Sequence, residues 1–492
     1  MHFFTDSNRF YKSIVVFILV INSTLLSANT SIQTAEFKVG AAKTKMTPPR
    51  GSIIGDSYGI KISDGVHDDL YIKTLVFEHR GLKVAFITLD AVSLPHMLVM
   101  KSRELIHIQT GIPVNNIVMN ATHAHAGPQM NPLFWNVVGG PAKLKSQEYT
   151  LKLPDLIVAS VKLAVSKIEP VRVSIGSVQE NTISYNRRFL MKDGSYKTNP
   201  GRANPNIVRP AGPIDPSLSI VYFESLDKRP LAILANFALH VAIVGGNQFS
   251  SDFPGVMSEL IGKVKGEEVV TIFTNGASGN INHVNVSDID QLAGFEESRR
   301  VGTILAGRVL AALPSLRSIE INSLAAKNQT VNLPIFRVTG QNDVNWARGV
   351  IANYGTNRSA FADVVSAWKI LDLAKYQGGL AQRHQSTTTV PLTADGSALE
   401  SEISVIALGD EIALVGFPGD AFTELGLGIK LNSPYPLTIV NEQSGNGTIS
   451  YMPNKKAFFE GQYEVNSARY SPGGGELLVD AAIETLISIF YR

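Results

Sequence analysis

Five short segments carry side chains whose types and spacing could do chemistry. The first is Thr122-His123-Ala124-His125-Ala126-Gly127-Pro128, which follows an apolar run from Asn116 to Ala121. At the end of a strand, positions i and i+2 share a face, so both imidazoles would aim one way. Such a pair can chelate zinc, or one ring can bind metal while the other polarises a substrate. H-x-H alone also reads as two histidines with no ligand. The second segment ends on His240, after the apolar run that begins at Leu231, with Asp252 shortly downstream. A lone histidine there reads equally as a core residue and gains meaning only beside the first pair.

The third segment, Ile272 to His283, contains Asn275-Gly276-Ala277-Ser278-Gly279-Asn280-Ile281-Asn282. Its glycines let backbone amides approach a ligand. No G-K-[ST] follows, so it is not a phosphate loop, and Asn280 stands where G-x-S-x-G needs its second glycine. The fourth is Phe417-Pro418-Gly419-Asp420, a carboxylate on a tight turn that can ligate metal, act as a base or cap a helix. The fifth is Ser450-Tyr451-Met452-Pro453, with Gln462-Tyr463-Glu464 downstream. Tyrosine is an uncommon metal ligand, and residue type alone would not select Tyr451.

The elements that must position these residues follow from hydrophobic periodicity. Tyr71 to Glu78 and Lys83 to Leu89 read as a hairpin, residues 94–109 as a helix stopped by Gly111-Ile112-Pro113, and the run to Ala121 as a strand. Strands are expected again at 218–223, 231–239, 269–273, 403–408 and 412–416. Helices are expected after Pro254, over 285–312 and over 481–490. Residues 185–215 read as an ordered but irregular loop, and 340–390 as a polar, partly helical segment without an evident role. The expected fold is α/β, a single large domain with mixed β-sheets flanked by helices.

Composition removes several function classes. The chain has 492 residues, 44% hydrophobic and 17% charged, with a formal net charge of +2. That is a globular balance with no basic surplus for nucleic acid. There is no cysteine, so disulfides and thiolate chemistry are excluded, and a transition metal must use histidine, carboxylate, tyrosine or water. Arg9 and Lys12 precede the apolar run Ile14 to Ile21, and small residues lead to Ala28. Residues 1–28 therefore read as a signal peptide, with export to the periplasm or the medium. The run is too short for a membrane span.

Taken together, the segments resemble the N-terminal catalytic domain of the neutral (non-lysosomal) ceramidases. The order agrees from about Phe37 onward: Val39-Gly40-Ala41, Thr122 to Pro128, Asn186-Arg187, Phe237 to His240, Ser251-Asp252, Gly279-Asn280-Ile281, Pro418-Gly419-Asp420, Ser450-Tyr451 and Tyr463-Glu464. The resemblance implies one zinc hydrolase domain over residues 37–492. It implies Zn2+ held by His123, His240, Asp420 and Tyr451, with His125 and Arg187 polarising a scissile carbonyl. The implied reaction is amide hydrolysis by zinc-activated water, on an N-acyl sphingoid lipid or another small molecule.

Three features depart from the family pattern. Asn282 stands where those enzymes carry an active-site serine, and it can orient substrate but cannot be a nucleophile. Asp420 replaces a glutamate, shorter by one methylene. The chain also ends soon after Glu464, where those enzymes continue into a β-rich domain. The alternatives are a zinc enzyme of the same fold acting on a carbohydrate or other polar substrate, or a binding protein without catalysis. Oligomeric state is not legible.

Overall fold

A computed structural model describes residues 37–492, apart from 56–57, 60, 355–359, 375–392, 394–396 and 448. The signal segment 1–28 therefore lies outside the described residues. Thirteen strands form two mixed sheets. In the larger lie β1 (Phe37–Lys45), β2 (Tyr71–His79), β3 (Leu82–Leu89), β4 (Ile117–Ala121), β5 (Glu169–Gln179), β6 (Ser217–Ser225), β7 (Pro230–Phe237) and β8 (Val270–Asn275), in the order β8-β7-β6-β5-β1-β2-β3-β4. A short β9 (Arg317–Ile319) pairs with β5 beyond the two residues through which β5 meets β1. The smaller sheet runs β10 (Leu324–Pro334), β11 (Ala398–Leu408), β12 (Ile412–Gly416) and β13 (Leu437–Asn441) in sequence order. The parallel neighbours are β3/β4, β7/β8 and β12/β13.

Alternation along the strands assigns each face. In β2, Leu75 and Phe77 join Phe86 of β3, Val221 and Phe223 of β6, Ile272 of β8 and Leu414 of β12 in one core shared by both sheets. The opposite row of β2, Ile72 and Val76, packs under α1 (His96–Thr110) and α2 (Gly140–Ser166) through Val99, Ile106, Leu153 and Ile157. The β6–β8 wing is covered by α3 (Phe253–Lys265) and α4 (Gly294–Ala312). The smaller sheet is covered by α7 (Thr423–Asn432) and α8 (Gly474–Phe490). Each sheet region thus has one face on a common core and one on a helix pair, the α/β arrangement expected. Burial of each large apolar side chain supplies about 1.5–3 kcal/mol.

The local signals hold where they rest on turn chemistry. The β2–β3 hairpin turns at Arg80-Gly81, and α1 ends at Gly111, whose φ of 73° is the left-handed cap glycine adopts freely. Asp252 caps α3, accepting from the amide of Phe253 at 2.7 Å. Two expectations are corrected. The 185–215 segment contains a small three-stranded sheet, Arg188–Met191 with Tyr196–Thr198 and Ile207–Pro210. The helix placed over 285–312 begins only at Gly294. Part of the 340–390 segment forms α5 (Gln341–Ala352) and α6 (Phe361–Ala374); residues 375–390 lie outside the described residues. Among the described residues, no helix is long and apolar enough to cross a membrane.

Candidate metal centre

The chemistry-bearing residues gather beyond the C-terminal ends of strands in the three parallel pairs, where chain ends open to ligands. His123 follows β4 and His240 follows β7. Ser278 to Asn282 follow β8, Asp420 follows β12 and Glu442 follows β13. Strand alternation is not what aligns His123 and His125, because β4 ends at Ala121 and His123 has a φ of 66°. Instead the segment is held by backbone bonds on both sides. Thr122 and Ala124 donate to Leu89 and Ala91, and His125 donates to Val241.

Donor atoms converge on one point. His123 Nε2 is 3.0 Å from His240 Nε2 and 3.2 Å from His125 Nε2. Asp420 Oδ1 is 3.5 Å from His123 Nε2, and Tyr451 Oη is 3.4 Å from His240 Nε2. Four ligands on a tetrahedral zinc, at bond lengths of about 2.0–2.1 Å, stand about 3.3 Å apart. The shorter aspartate therefore still reaches the cluster. It does so because Asp420-Ala421 and Tyr451-Met452 pair as two short parallel strands, with Asp420 directly opposite Tyr451.

Proton positions strengthen the fit. His123 Nδ1 lies 2.7 Å from the carbonyl of Val92, which can only accept, so Nδ1 carries the proton and Nε2 turns a lone pair inward. His240 Nδ1 faces the carbonyl of Ser278 at 3.4 Å in the same sense. Burial pushes both histidines well below the ordinary imidazole range, reinforced for each by the other cationic groups nearby. Asp420 Oδ1 is buried and accepts no hydrogen bond. Burial raises its carboxyl to about 7, although Arg187 pulls it the other way. Two inward lone pairs and an orphaned carboxylate oxygen repel one another unless a cation lies between them. The buried His123, His125 and His240 could hold a metal ion, and the residues present fit one.

Arg187 and Asn282 stand beside this cluster. Arg187 is buried, donating from Nε to Glu464 at 3.0 Å and from Nη2 to the carbonyl of Gly279 at 2.7 Å. Its guanidinium lies 5.2 Å from the Tyr451 ring centroid, within cation–π range. Asn282 donates to Asn199 Oδ1 at 2.8 Å and accepts from the amide of Val284, so both ends of its amide are engaged. Ser278 is fully buried and donates to Glu442 at 2.6 Å, and it lines neither of the two cavities that reach the cluster. A cavity of about 830 Å3 opens on His125, Arg187, His240, Asn282 and Tyr451. A second, of about 140 Å3, reaches His123, Asp420 and Tyr451 from the other side.

Three residues that hold the centre are given no role in it by the sequence. Glu464, wholly buried, binds Arg187 and Arg188 together. Glu442 fixes Ser278, whose carbonyl meets His240. The third is Val92, through its carbonyl. Only Glu464 had any sequence signal, as part of Tyr463-Glu464. The polar 340–390 segment acquires a role as well: α6 contributes Phe361 and Val365 to the wall of the larger cavity. The ion pair of Asp372 with Arg469, at 2.6 Å, pins that helix.

The family described as neutral/alkaline non-lysosomal ceramidase, N-terminal, matches residues 37–290. The matched stretch includes His123, His125, Arg187, His240 and Asn282, and ends before Asp420 and Tyr451. No curated protein matches the sequence significantly. Among solved structures, a ceramidase complexed with C2 superposes with a TM-score of 0.69 at 16% identity, covering 93% of this chain and 76% of that one. The neutral ceramidase of Pseudomonas aeruginosa gives the same TM-score and identity, covering 93% and 75%. At that identity the likeness carries the fold.

Proposed function

Since the chain belongs to the neutral/alkaline non-lysosomal ceramidase family, we propose that it is a zinc-dependent hydrolase cleaving the amide of an N-acyl sphingoid lipid. The observation that supports this reading is the convergence of inward lone pairs and an orphaned carboxylate oxygen at the edge of a large cavity. His123 and His240 through Nε2, Asp420 through Oδ1 and Tyr451 through Oη would hold the ion. When bound, zinc supplies a Lewis acid and brings the pKa of a coordinated water near 7.

The chain's own groups do the rest. Arg187, locked by Glu464 and Gly279, offers a fixed positive charge beside the reacting carbonyl and needs no reorganisation as charge develops. His125 borders the larger cavity, where its Nε2 would hydrogen-bond the carbonyl oxygen. Asn282 has no nucleophilic atom, and we assign it the shaping of the cavity wall through Asn199. Phe361 and Val365 of α6 would lie along an acyl chain.

A second reading rests on the same cavity. Asn199, Arg202, Gln462 and Asn466 also line it, and a polar amide or a carbohydrate would find more partners there than a hydrocarbon would. Fatty-acid release from a fluorescent ceramide separates the two readings, with a chelated sample and His123→Ala as controls. Release that is lost on chelation and in the variant is expected. Protein holding stoichiometric zinc without turning over ceramide would move the assignment to a polar substrate, and protein that binds no zinc would remove it. We also propose export, with cleavage after Ala28; a mature chain beginning at Asn29 is expected on N-terminal sequencing, and one beginning at Met1 would remove that part.

A further inference from the structure

The inward rows of β1, β2 and β3 change character at one end of the shared core. β1 runs Phe37, Val39, Ala41, Lys43. β2, read in the matching direction, runs Phe77, Leu75, Lys73, Tyr71, and β3 runs Val84, Phe86, Thr88, with Asp90 just past its end. Three apolar rows thus end in charged and polar groups on the same face. Lys43 and Lys73 stand directly opposite one another across the strand pair. Like charges in that arrangement repel and are destabilising unless something lies between them.

These ends line an open cavity of about 800 Å3, whose other walls come from α3, α4, the segment before α3 and His67 to Asp69. None of His123, His240, Asp420 or Tyr451 lines it. Lys73 is only 2% exposed and Asp90 only 1%. Asp90 Oδ2 accepts from the amide of Tyr71, but its Oδ1 has no partner, and neither has Thr88 Oγ1 across the strand from Lys73. Lys73 and Asp90 are diagonal neighbours on adjacent strands, yet no hydrogen bond or contact ion pair joins them among the described residues. Burial moves Lys73 down and Asp90 up, and each one's charge only partly offsets that for the other. A contact pair would shift them the opposite way.

Of the other carboxylates on the wall, Glu259 and Glu267 are exposed to solvent, and the more buried ones are engaged. Asp68 is taken by Ser250, Ser251 and His67, and Asp69 by Lys45 and Thr47. Asp252 is taken by the amides of Ile243, Val244 and Phe253. What remains is a buried ammonium and a buried carboxylate, Lys73 and Asp90, both on the wall of the cavity and not touching, with a second ammonium, Lys43, held over the Tyr71 ring at 3.9 Å. An anion alone would satisfy the lysines and leave Asp90 unmatched. A cation alone would do the reverse. Water supplies hydrogen bonds but neither charge.

We propose that this cavity binds a small zwitterion of the α-amino acid type, its carboxylate between Lys73 and Lys43 and its ammonium on the side of the Asp90 carboxylate. The site is separate from the metal centre and does not depend on the hydrolase assignment. Isothermal titration of the full chain with glycine, L-leucine and L-glutamine tests it, with acetate and methylammonium as the two half-ligands. At least one amino acid should bind about tenfold or more tighter than either half-ligand, since each half forfeits one charge-assisted contact. Lys73→Met and Asp90→Asn should each weaken that binding by about tenfold or more, and Lys43→Met should weaken it less. Absence of amino-acid binding, acetate binding as tightly as the amino acid, or binding indifferent to both buried substitutions would overturn the proposal. Should a buried variant fail to fold, the comparison of whole and half ligands on the unmodified protein decides alone.

Discussion

Glu464→Gln removes one charge from a place where two others depend on it. The carboxylate is wholly buried and accepts from Arg187 Nε at 3.0 Å, Arg188 Nη1 at 2.7 Å and Thr198 Oγ1 at 2.8 Å. Glutamine keeps one acceptor oxygen and turns an NH2 toward a guanidinium. Each charge-assisted bond contributes about 1.5–3 kcal/mol, and breaking a buried pair by removing one partner costs about 3–5 kcal/mol. Arg188 retains Glu460 and the carbonyl of Gly461, and Arg187 retains Gly279, so the cost should fall within that range rather than above it. Urea unfolding of wild type and variant at neutral pH measures it. Turnover should fall further than stability suggests, because a misplacement of Arg187 by about 1 Å is worth about a hundredfold in rate. A stability loss under about 1 kcal/mol, the value of an exposed pair, would refute the claim that Glu464 organises both arginines.

His283, which is not among the proposed metal ligands, gives a pH signature of its own: burial pushes its imidazole down to about 4, against an unfolded value of 6.5. The unfolded chain takes up that proton first, so stability is full above the unfolded value and should fall by about 3 kcal/mol as pH drops from 6.5 toward 4. His283→Gln should flatten that slope in urea titrations at several pH values; an unchanged slope would place the protonation elsewhere. Gly279→Ala should cost about 1–3 kcal/mol and lower zinc stoichiometry, because an added Cβ would sit 2.2 Å from the backbone oxygen of Asp420; full zinc content by elemental analysis would contradict it. The buried pair of Arg103 with Glu402, bonded at 2.7 and 3.0 Å, ties α1 to β11. Glu402→Gln should cost about 3–5 kcal/mol, while Arg103→Met with Glu402→Leu should recover most of it in calorimetry. A double variant no better than the single would show that the pair itself supplies the stability.

Sequence patterning recovered the elements whose ends carry strong local chemistry. The β2–β3 hairpin turns at a glycine, α1 stops at Gly111 before a proline, and β12 and the second half of β11 are short, largely apolar runs buried throughout. What escaped was decided by tertiary contact. The long helix α2 contains Pro154 and no capping side chain, so its start and length were not marked in the sequence. Strands β5, β10 and β13 were not called either; β5 and β10 mix buried with half-buried positions, and only their pairing partners define them. The 185–215 segment is rich in turn residues, yet Arg188 to Met191 becomes a strand paired on both sides, and Glu464, from far along the chain, neutralises Arg187 and Arg188 at its start.

At the centre itself the residue types were legible, but the reason they converge was not. His123 does not owe its aim to strand alternation. It sits at a left-handed φ that costs a β-carbon-bearing residue about 1–2 kcal/mol. Ser450, just before Tyr451, has a φ of 94°, and Gln443, beside Glu442, one of 56°. Such strain persists only where surrounding contacts over-determine it. Here they do, since Val92 takes the Nδ1 proton of His123, Tyr451 is paired to Asp420, and Gly419, at φ 76°, leaves no room for a side chain against the carbonyl of Ser450. Several of the described residues at positive φ, such as Arg80, Ala203 and Lys228, sit in ordinary turns and loops, but His123 and Ser450 stand at or beside the donors. That placement is what a preorganised cation site requires, because inward lone pairs held 3.0 Å apart must be fixed before the ion arrives.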